Sequence, residues 1–345
     1  MSQPRHIAVI GAGMAGLSCA TALQQAGLRV SVFDKSRGPS GRMSTRRGDG
    51  WQCDHGAQYF TARDAHFRAE VALWERAGAA ALWSPVMRLS GDDGARSISA
   101  ARATERFVGT PRMTAPAALL AAQLTLHTET AITGLRRDTK GWRLQAARAG
   151  QPAGPLEQLE DQLEGQLNAH YDAVVLAVPA PQAVPLLQAP APELAALAAG
   201  ALMHACWAMM LRFESPLAIG FDAAFVHQGP LRWVARDSSK PGRDGGETWL
   251  LHASDAWSDA HTALDADRVA AQLLPAFAAL GGAVPHSWSA HRWLYASTEP
   301  ALAETCVWEA GQGLGLCGDW LNGGTVEAAW LSGRALALRI AAGCT

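Results

Sequence analysis

Six residues near the start of the chain limit what it can fold into more than any other feature. Gly11-Ala12-Gly13-Met14-Ala15-Gly16 is a G-x-G-x-x-G run between an apolar pentapeptide and an Ala- and Leu-rich stretch. The pentapeptide, residues 6–10, is mostly apolar rather than alternating, which predicts a buried parallel strand. Residues 14–25 predict a helix with Gly27 as its stop, and 29–33 predict a second strand. Strand, glycine turn, helix and strand together make a βαβ unit. In such a unit Gly11 permits the tight turn, Gly13 lets backbone approach a pyrophosphate, and Gly16 lets helix and strand pack closely. The helix start at Met14 and Ala15 would then offer phosphates its free N–H groups and a partial positive charge. Asp34 closes the second strand, 34 − 16 = 18 residues after Gly16, where an acid can accept from ribose hydroxyls. Lys35 beside it is counted with the same cofactor loop.

Composition narrows the class. A chain of 345 residues that is 49% hydrophobic can bury a large core, as one extended domain or two interleaved lobes. A net charge of −2 gives no electrostatic reason to expect nucleic acid or an anionic membrane as partner. The six cysteines are scattered, with no Cys-x-x-Cys and no metal-ligand spacing, so we expect no metal and a reducing, cytoplasmic setting. Residues 7–30 are apolar enough to suggest a signal peptide, but their glycine spacing argues for the βαβ unit instead. The later apolar run 173–187 is broken by Pro179, Pro181 and Pro185, short of the roughly 20 residues that span a bilayer. The expectation is therefore a soluble protein. Thirteen tryptophans suit the lining of a flat aromatic ligand site, although any single one is first a core residue.

Further along, residues 64–82 predict a helix with Phe67, Val71, Trp74 and Ala77 or Gly78 on one face, and 116–123 a shorter one after Thr114. Residues 131–136 and 142–147 predict a hairpin around Lys140-Gly141. The Gly-, Gln-, Glu- and Pro-rich stretch 149–169 reads as a loop insertion. Strands are expected at 171–177, 207–213, 231–236, 248–253 and 315–318, and helices at 265–280 and 325–340. The predicted fold is α/β. A Rossmann-type dinucleotide-binding domain carries an inserted mixed-sheet α+β substrate domain. The expected spans are 1–60, 105–180 and 312–345 for the first, and 61–104 with 181–311 for the second.

The glycine fingerprint alone does not choose FAD over NAD. Two later segments do. Arg37-Gly38-Pro39-Ser40-Gly41-Arg42 resembles the R-x-G-G-R segment of the flavin-dependent amine oxidase superfamily, with Ser40 where glycine is frequent. Arg42 would reach the FAD pyrophosphate, whose geometry a guanidinium matches. Gly318-Asp319 resembles the second FAD signature of that fold, in which the Asp binds a ribityl hydroxyl. Thr325-Val326-Glu327 then opens a helix whose positive end would face the N1/C2=O edge of the flavin, where negative charge gathers on reduction. An NAD dehydrogenase has no use for this second feature.

The likeness becomes closer over residues 34–46 and at Asp54-His55-Gly56-Ala57-Gln58-Tyr59-Phe60. It continues at 231–243, at Trp249-Leu250-Leu251-His252-Ala253, at His291-Arg292-Trp293-Leu294-Tyr295-Ala296 and over 315–336. Across most of its length the chain is similar to the bacterial renalases, small members of the amine oxidase-like flavoproteins. The resemblance implies that the dinucleotide-binding part is a Rossmann-type FAD-binding domain of the p-hydroxybenzoate hydroxylase or amine oxidase kind. It also implies non-covalent FAD and oxidation of the 2- and 6-dihydro isomers of NAD(P)H to NAD(P)+. Hydride would pass to flavin N5, with O2 reoxidising the flavin to give H2O2. It implies that Gly56, Ala57 and Gln58 lie along the flavin, with Gly41, Met43, Tyr59 and Ile132 also in the cofactor set. His252 and Trp293 would face the nicotinamide, His252 as a donor to the carboxamide, with Gln58, Trp233 and Tyr295 as further members of the reaction site. The family often has Arg where this chain has Leu294. The alternatives are an oxidase of small amines, a desaturase-like enzyme of an apolar substrate, and a flavin-binding sensor without turnover.

Overall fold

The computed structural model describes residues 5–90, 96–97, 104–148, 165 and 169–343. The expected insertion at 149–169 lies largely outside them. The chain forms two compact units, each assembled from separate segments. The first takes 1–41, 117–203 and 298–345, the second 42–116 and 204–297. These boundaries differ from the spans expected from sequence at 42–60, 105–116, 181–203 and 298–311. The helices Ala180–Leu187 and Pro192–Ala199 account for one difference. They bury Ala183, Leu187 and Leu194 in the same core as the strand Ala173–Leu176.

The first unit is built on a six-stranded sheet. Its order is Val307–Glu309, Leu314–Leu316, Ala173–Leu176, His6–Ile10, Arg29–Phe33 and Thr125–His127. All neighbours are parallel except Val307–Glu309 with Leu314–Leu316. His6–Ile10 and Ala173–Leu176 are buried at every position, as central strands covered on both faces must be. Ala8, Ile10, Val174 and Leu176 join a core with Trp142, Tyr171 and Trp320. The helices Met14–Gln25 and Val326–Ala342 lie against each other so tightly that a Cβ at Gly333 would overlap the Ala15 carbonyl. Ser18 Oγ seals that contact by donating to the Trp330 carbonyl at 2.8 Å. No described helix is long and apolar enough to cross a membrane.

The second unit holds a seven-stranded sheet. Its order is Ser287–Thr298, Met203–Phe213, Glu247–Ala253, Leu231–Arg236, Ala223–Val226, Met87–Ser90 and Arg96–Ser97. Alternation along the strands divides its side chains. Trp207, Met209, Leu211, Trp249 and Leu251 pack with Val269, Leu273 and Phe277 of the helix Ala266–Ala278. Ala208, Met210 and Leu250 pack instead with Cys53, Trp51 and Trp293. A bulge at Arg232 shifts the register from Leu231 opposite Ala253 to Trp233 opposite His252. The extra residue lets Leu231 and Val234 share the helix-side core while Trp233 turns to the other face, beside His252.

The helix expected at 64–82 is shorter than the sequence pattern suggests. It runs Ala65–Arg76 behind an Asp64 cap and buries Phe67, Val71 and Trp74. Gly78 at φ +70° reverses the chain, and Ala80–Trp83 pairs as a strand with Arg106–Gly109.

Candidate functional site: a glycine cradle and an aromatic wall

In the first unit the fingerprint residues do what their type allows. Gly11 has φ +107°, and a Cβ there would press on the Ala177 carbonyl. A Cβ at Gly16 would overlap the Gly11 carbonyl, so turn and helix meet backbone to backbone. A Cβ at Gly13 would meet nothing within 4 Å, and no side chain caps the helix that begins at Met14. Backbone there is open to a ligand and offers N–H groups at a helix start. Asp34 accepts from Ala12 N at 2.6 Å and from Ser36 N at 2.7 Å. Each carboxylate oxygen keeps a second lone pair for a ribose hydroxyl. Gly13 bridges Ser40, and Ser40 N donates to the Ala12 carbonyl at 2.9 Å, which lays the 37–41 loop against the glycine turn. Lys35 is exposed and Ile132 half-buried. Asp319 is buried at the start of the turn Asp319–Asn322, and its carbonyl accepts from Gly324 N at 2.9 Å. Thr325 caps Val326–Ala342 by accepting from Ala328 N at 3.0 Å, with Val326 and Glu327 in the first turn. This donor and acceptor set fits the adenosine and ribityl parts of FAD.

In the second unit the residues around His55 converge on one carbonyl. The His55 oxygen accepts from Trp293 Nε1 at 2.9 Å and from His252 Nε2 at 3.1 Å. A carbonyl only accepts, so His252 Nε2 carries the proton and Nδ1 is left as an acceptor. His252 was expected to donate to a substrate; its donor is spent on backbone instead. The His55 ring stacks on Trp293 at 5.1 Å and 28°, and His291 sits edge-on to both at 4.9 and 4.5 Å. Arg46 closes the row, its guanidinium 3.2 Å from His291 Nδ1. Burial lowers all three imidazoles. His55 falls to about 3, helped by His291 and Arg46, and His291 to about 4, helped by Arg46. His252 falls to about 4 although its bond to the His55 carbonyl resists the change. The result is a wall of neutral rings.

The other expected members lie on the same framework. His291, Trp293 and Tyr295 alternate with exposed Arg292 and Leu294 along Ser287–Thr298, so Leu294 is turned away from the face that carries Trp293. Trp233 is buried beside Tyr59 at 5.5 Å and Phe225 at 4.8 Å. Met43 is buried, and Arg42 donates to the Ala296 carbonyl at 3.2 Å. A Cβ at Gly56 would overlap the Arg42 carbonyl, and Ala57 N donates to that same oxygen at 2.9 Å.

Sequence reasoning missed what holds this segment in place. Gln58 donates to the Asp54 carbonyl at 2.6 Å and to the Gly56 carbonyl at 3.1 Å, while its Oε1 accepts from Lys240 Nζ at 3.2 Å. Lys240 also reaches Asp54 at 3.1 Å and Asp237 at 2.7 Å, and Arg243 reaches Asp54 at 2.5 Å. These two cations and two carboxylates have side chains at most 1% exposed. Burial pushes the Asp54 carboxyl up, but Lys240, Arg243 and a 2.6 Å bond from Thr45 Oγ1 outweigh it and hold Asp54 below the ordinary range. Asp237 is pushed up to about 6 by burial and by Asp54. Lys240 is raised despite burial, because both carboxylates face it. The available signal was the spacing of three from Asp237 to Lys240 to Arg243 directly after an apolar strand, which reads as an ordinary polar turn. Among the described residues no group of three or more His, Cys, Asp or Glu is placed to hold a metal ion.

Residues 9–76 match the NAD(P)-binding Rossmann-like domain, and residues 77–341 match the pattern described as flavin containing amine oxidoreductase. The chain belongs to the flavin-containing amine oxidoreductases. Its cofactor is FAD and its fold is the one this family shares. Curated relatives include L-amino-acid oxidases of Daboia russelii, 46% identical over 57 residues, and of Bungarus fasciatus, 40% identical over 73. Those matches cover 16% and 21% of this chain, and only 11% and 14% of the relatives' own length. Among solved structures, cyclohexylamine oxidase from Brevibacterium oxydans IH-35A superposes with a TM-score of 0.73 at 13% identity, covering 99% of each chain. Wild-type putrescine oxidase bound to putrescine gives 0.69 at 13%, again covering 99% of each. At that identity the likeness is one of fold.

Proposed function

We propose that this flavoenzyme oxidises the 2- and 6-dihydro isomers of NAD(P)H to NAD(P)+, with O2 as the final oxidant and H2O2 as the second product. The observation that carries the reading is the wall of neutral rings made by His55, Trp293 and His291. FAD, when bound, would supply the chemistry, a two-electron acceptor for hydride that O2 can reoxidise. Losing hydride turns a dihydropyridine into an aromatic pyridinium, so the protein needs to abstract no proton. Its task is to hold a flat ring in one pose and keep water out. Trp293, half-buried and backed by the His55 ring, gives the flat surface, and His252 Nδ1 would accept from the carboxamide N–H. Lys240 and Arg42 tie down Gln58 and Gly56–Ala57, the segment that would line the flavin. Five described cysteines are unpaired, in line with a reducing cytoplasm.

A second reading is an oxidase of a small amine. Tyr59, half-buried and backed by Trp233 at 5.5 Å, favours it, since an aromatic face can pack against a neutral amine. Anaerobic stopped-flow separates the two readings, with each dihydro isomer, ordinary NADH and a panel of amines as reductants. We expect rapid flavin bleaching by a 2- or 6-dihydro isomer. Ordinary NADH should be at least about a hundredfold slower, because it carries its hydride on a carbon that the same pose places away from N5. Bleaching by an amine and not by the isomers overturns the proposal in favour of the second reading. Bleaching by neither overturns both.

A further inference from the structure

The row of rings does not end in a ring. It ends at Arg46, whose strand Thr45–Gly48 pairs with Trp51–Asp54 so that Arg46 lies opposite Cys53. Residues directly opposite share a face. Cys53 packs in the cluster that Trp293 joins, so the same face brings Arg46 to His291. The arginine is exposed and its recorded contact is an imidazole nitrogen, with no carboxylate partner among the described residues. His291 and His55 are neutral and add nothing to offset it. The buried carboxylates Asp54 and Asp237 are matched one for one by Lys240 and Arg243. Arg46 is therefore a planar, bidentate cationic donor with no ion-pair partner among the described residues.

We infer that Arg46 is a specificity-determining residue, the anion contact by which the wall selects phosphate-bearing substrates and disfavours cationic amines. The inference rests on the proposed function for the claim that substrate stacks on this wall. A guanidinium is matched in shape to a phosphate, and its bond to an ionised oxygen is stronger than a neutral one. A protonated amine approaching the same place meets like charge. Being exposed, the contact is screened by salt, with a range of about 8–10 Å at ordinary ionic strength.

The test uses FAD-saturated enzyme and calorimetric titration with ADP-ribose, which carries the diphosphate but no nicotinamide, alongside adenosine as the uncharged control. We expect Arg46→Gln to bind ADP-ribose about tenfold more weakly than wild type, which is about 1.4 kcal/mol. Arg46→Glu should bind it more weakly still, and Arg46→Lys should recover most of the loss. Raising salt should weaken wild type more than Arg46→Gln, and adenosine should bind all four proteins alike. Equal binding of ADP-ribose by wild type and Arg46→Gln, or no binding by wild type, overturns the inference. Since ADP-ribose has no hydride to give, this outcome is independent of whether dihydronicotinamides bleach the flavin.

Discussion

A carbonyl oxygen has two lone pairs, and the His55 oxygen fills both with side chains from distant strands. Trp293 and His252 stood out in the sequence only through a family resemblance, because a lone Trp or His on a strand is usually a packed core residue. His55 carried no signal for its part, since its carbonyl holds both side chains and its ring backs Trp293, neither of which a local pattern encodes. The price of burying so many imidazoles is a measurable dependence on pH. In the folded protein His55 and His252 have pKa values of about 3 and about 4, below the ordinary 6.5. The unfolded chain therefore binds more protons between about 4 and about 6.5. Their contribution to stability is complete above about pH 6.5 and is lost as pH falls through that window. A shift of one unit is about 1.4 kcal/mol, so His252 alone accounts for about 3 kcal/mol between the two limits. Urea midpoints at pH 7.5, 5.5 and 4.5 should fall steadily in wild type and more shallowly in His252→Phe. Equal slopes would place the lost protons elsewhere.

At the scale of elements, the βαβ unit, the 130–148 hairpin and the closing helix were legible because their patterns are local. The strand Ser287–Thr298 was not. It is an edge strand, half-buried over most of its length, so no clean apolar alternation marks it. The turn Asp237–Ser239 and the segment after it were also illegible, since partners for Lys240 and Arg243 come from 186 and 189 positions away. That cluster gives a firm expectation. Lys240→Met removes one cation from a neutral foursome and leaves a buried carboxylate without its partner, which should cost about 3–5 kcal/mol in chemical denaturation. The double variant Lys240→Met with Asp237→Leu removes one charge of each sign, and it should recover part of that loss. If the single variant loses less than about 1 kcal/mol, the cluster does not hold the Asp54–Gln58 segment as described.

For the whole molecule, composition and the two flavin signatures pointed to the fold, whereas the limits of the two units depend on packing that no short pattern encodes. We expect heat or acid to release all yellow colour as FAD into the supernatant. Colour kept by the denatured pellet would contradict non-covalent binding. The interleaving of segments also bears on how the protein is made. Gly333 leaves room for the helix Val326–Ala342 to cover Met14–Gln25, yet 326 − 25 = 301 positions separate the two. At about 5–20 residues per second, a ribosome takes about 15–60 s to supply that cover. For that interval the nascent chain carries an apolar helix face with nothing native to dock on. Such a chain is a natural client for chaperones that hold emerging polypeptides, and its yield on overexpression should depend on them more than its finished stability suggests.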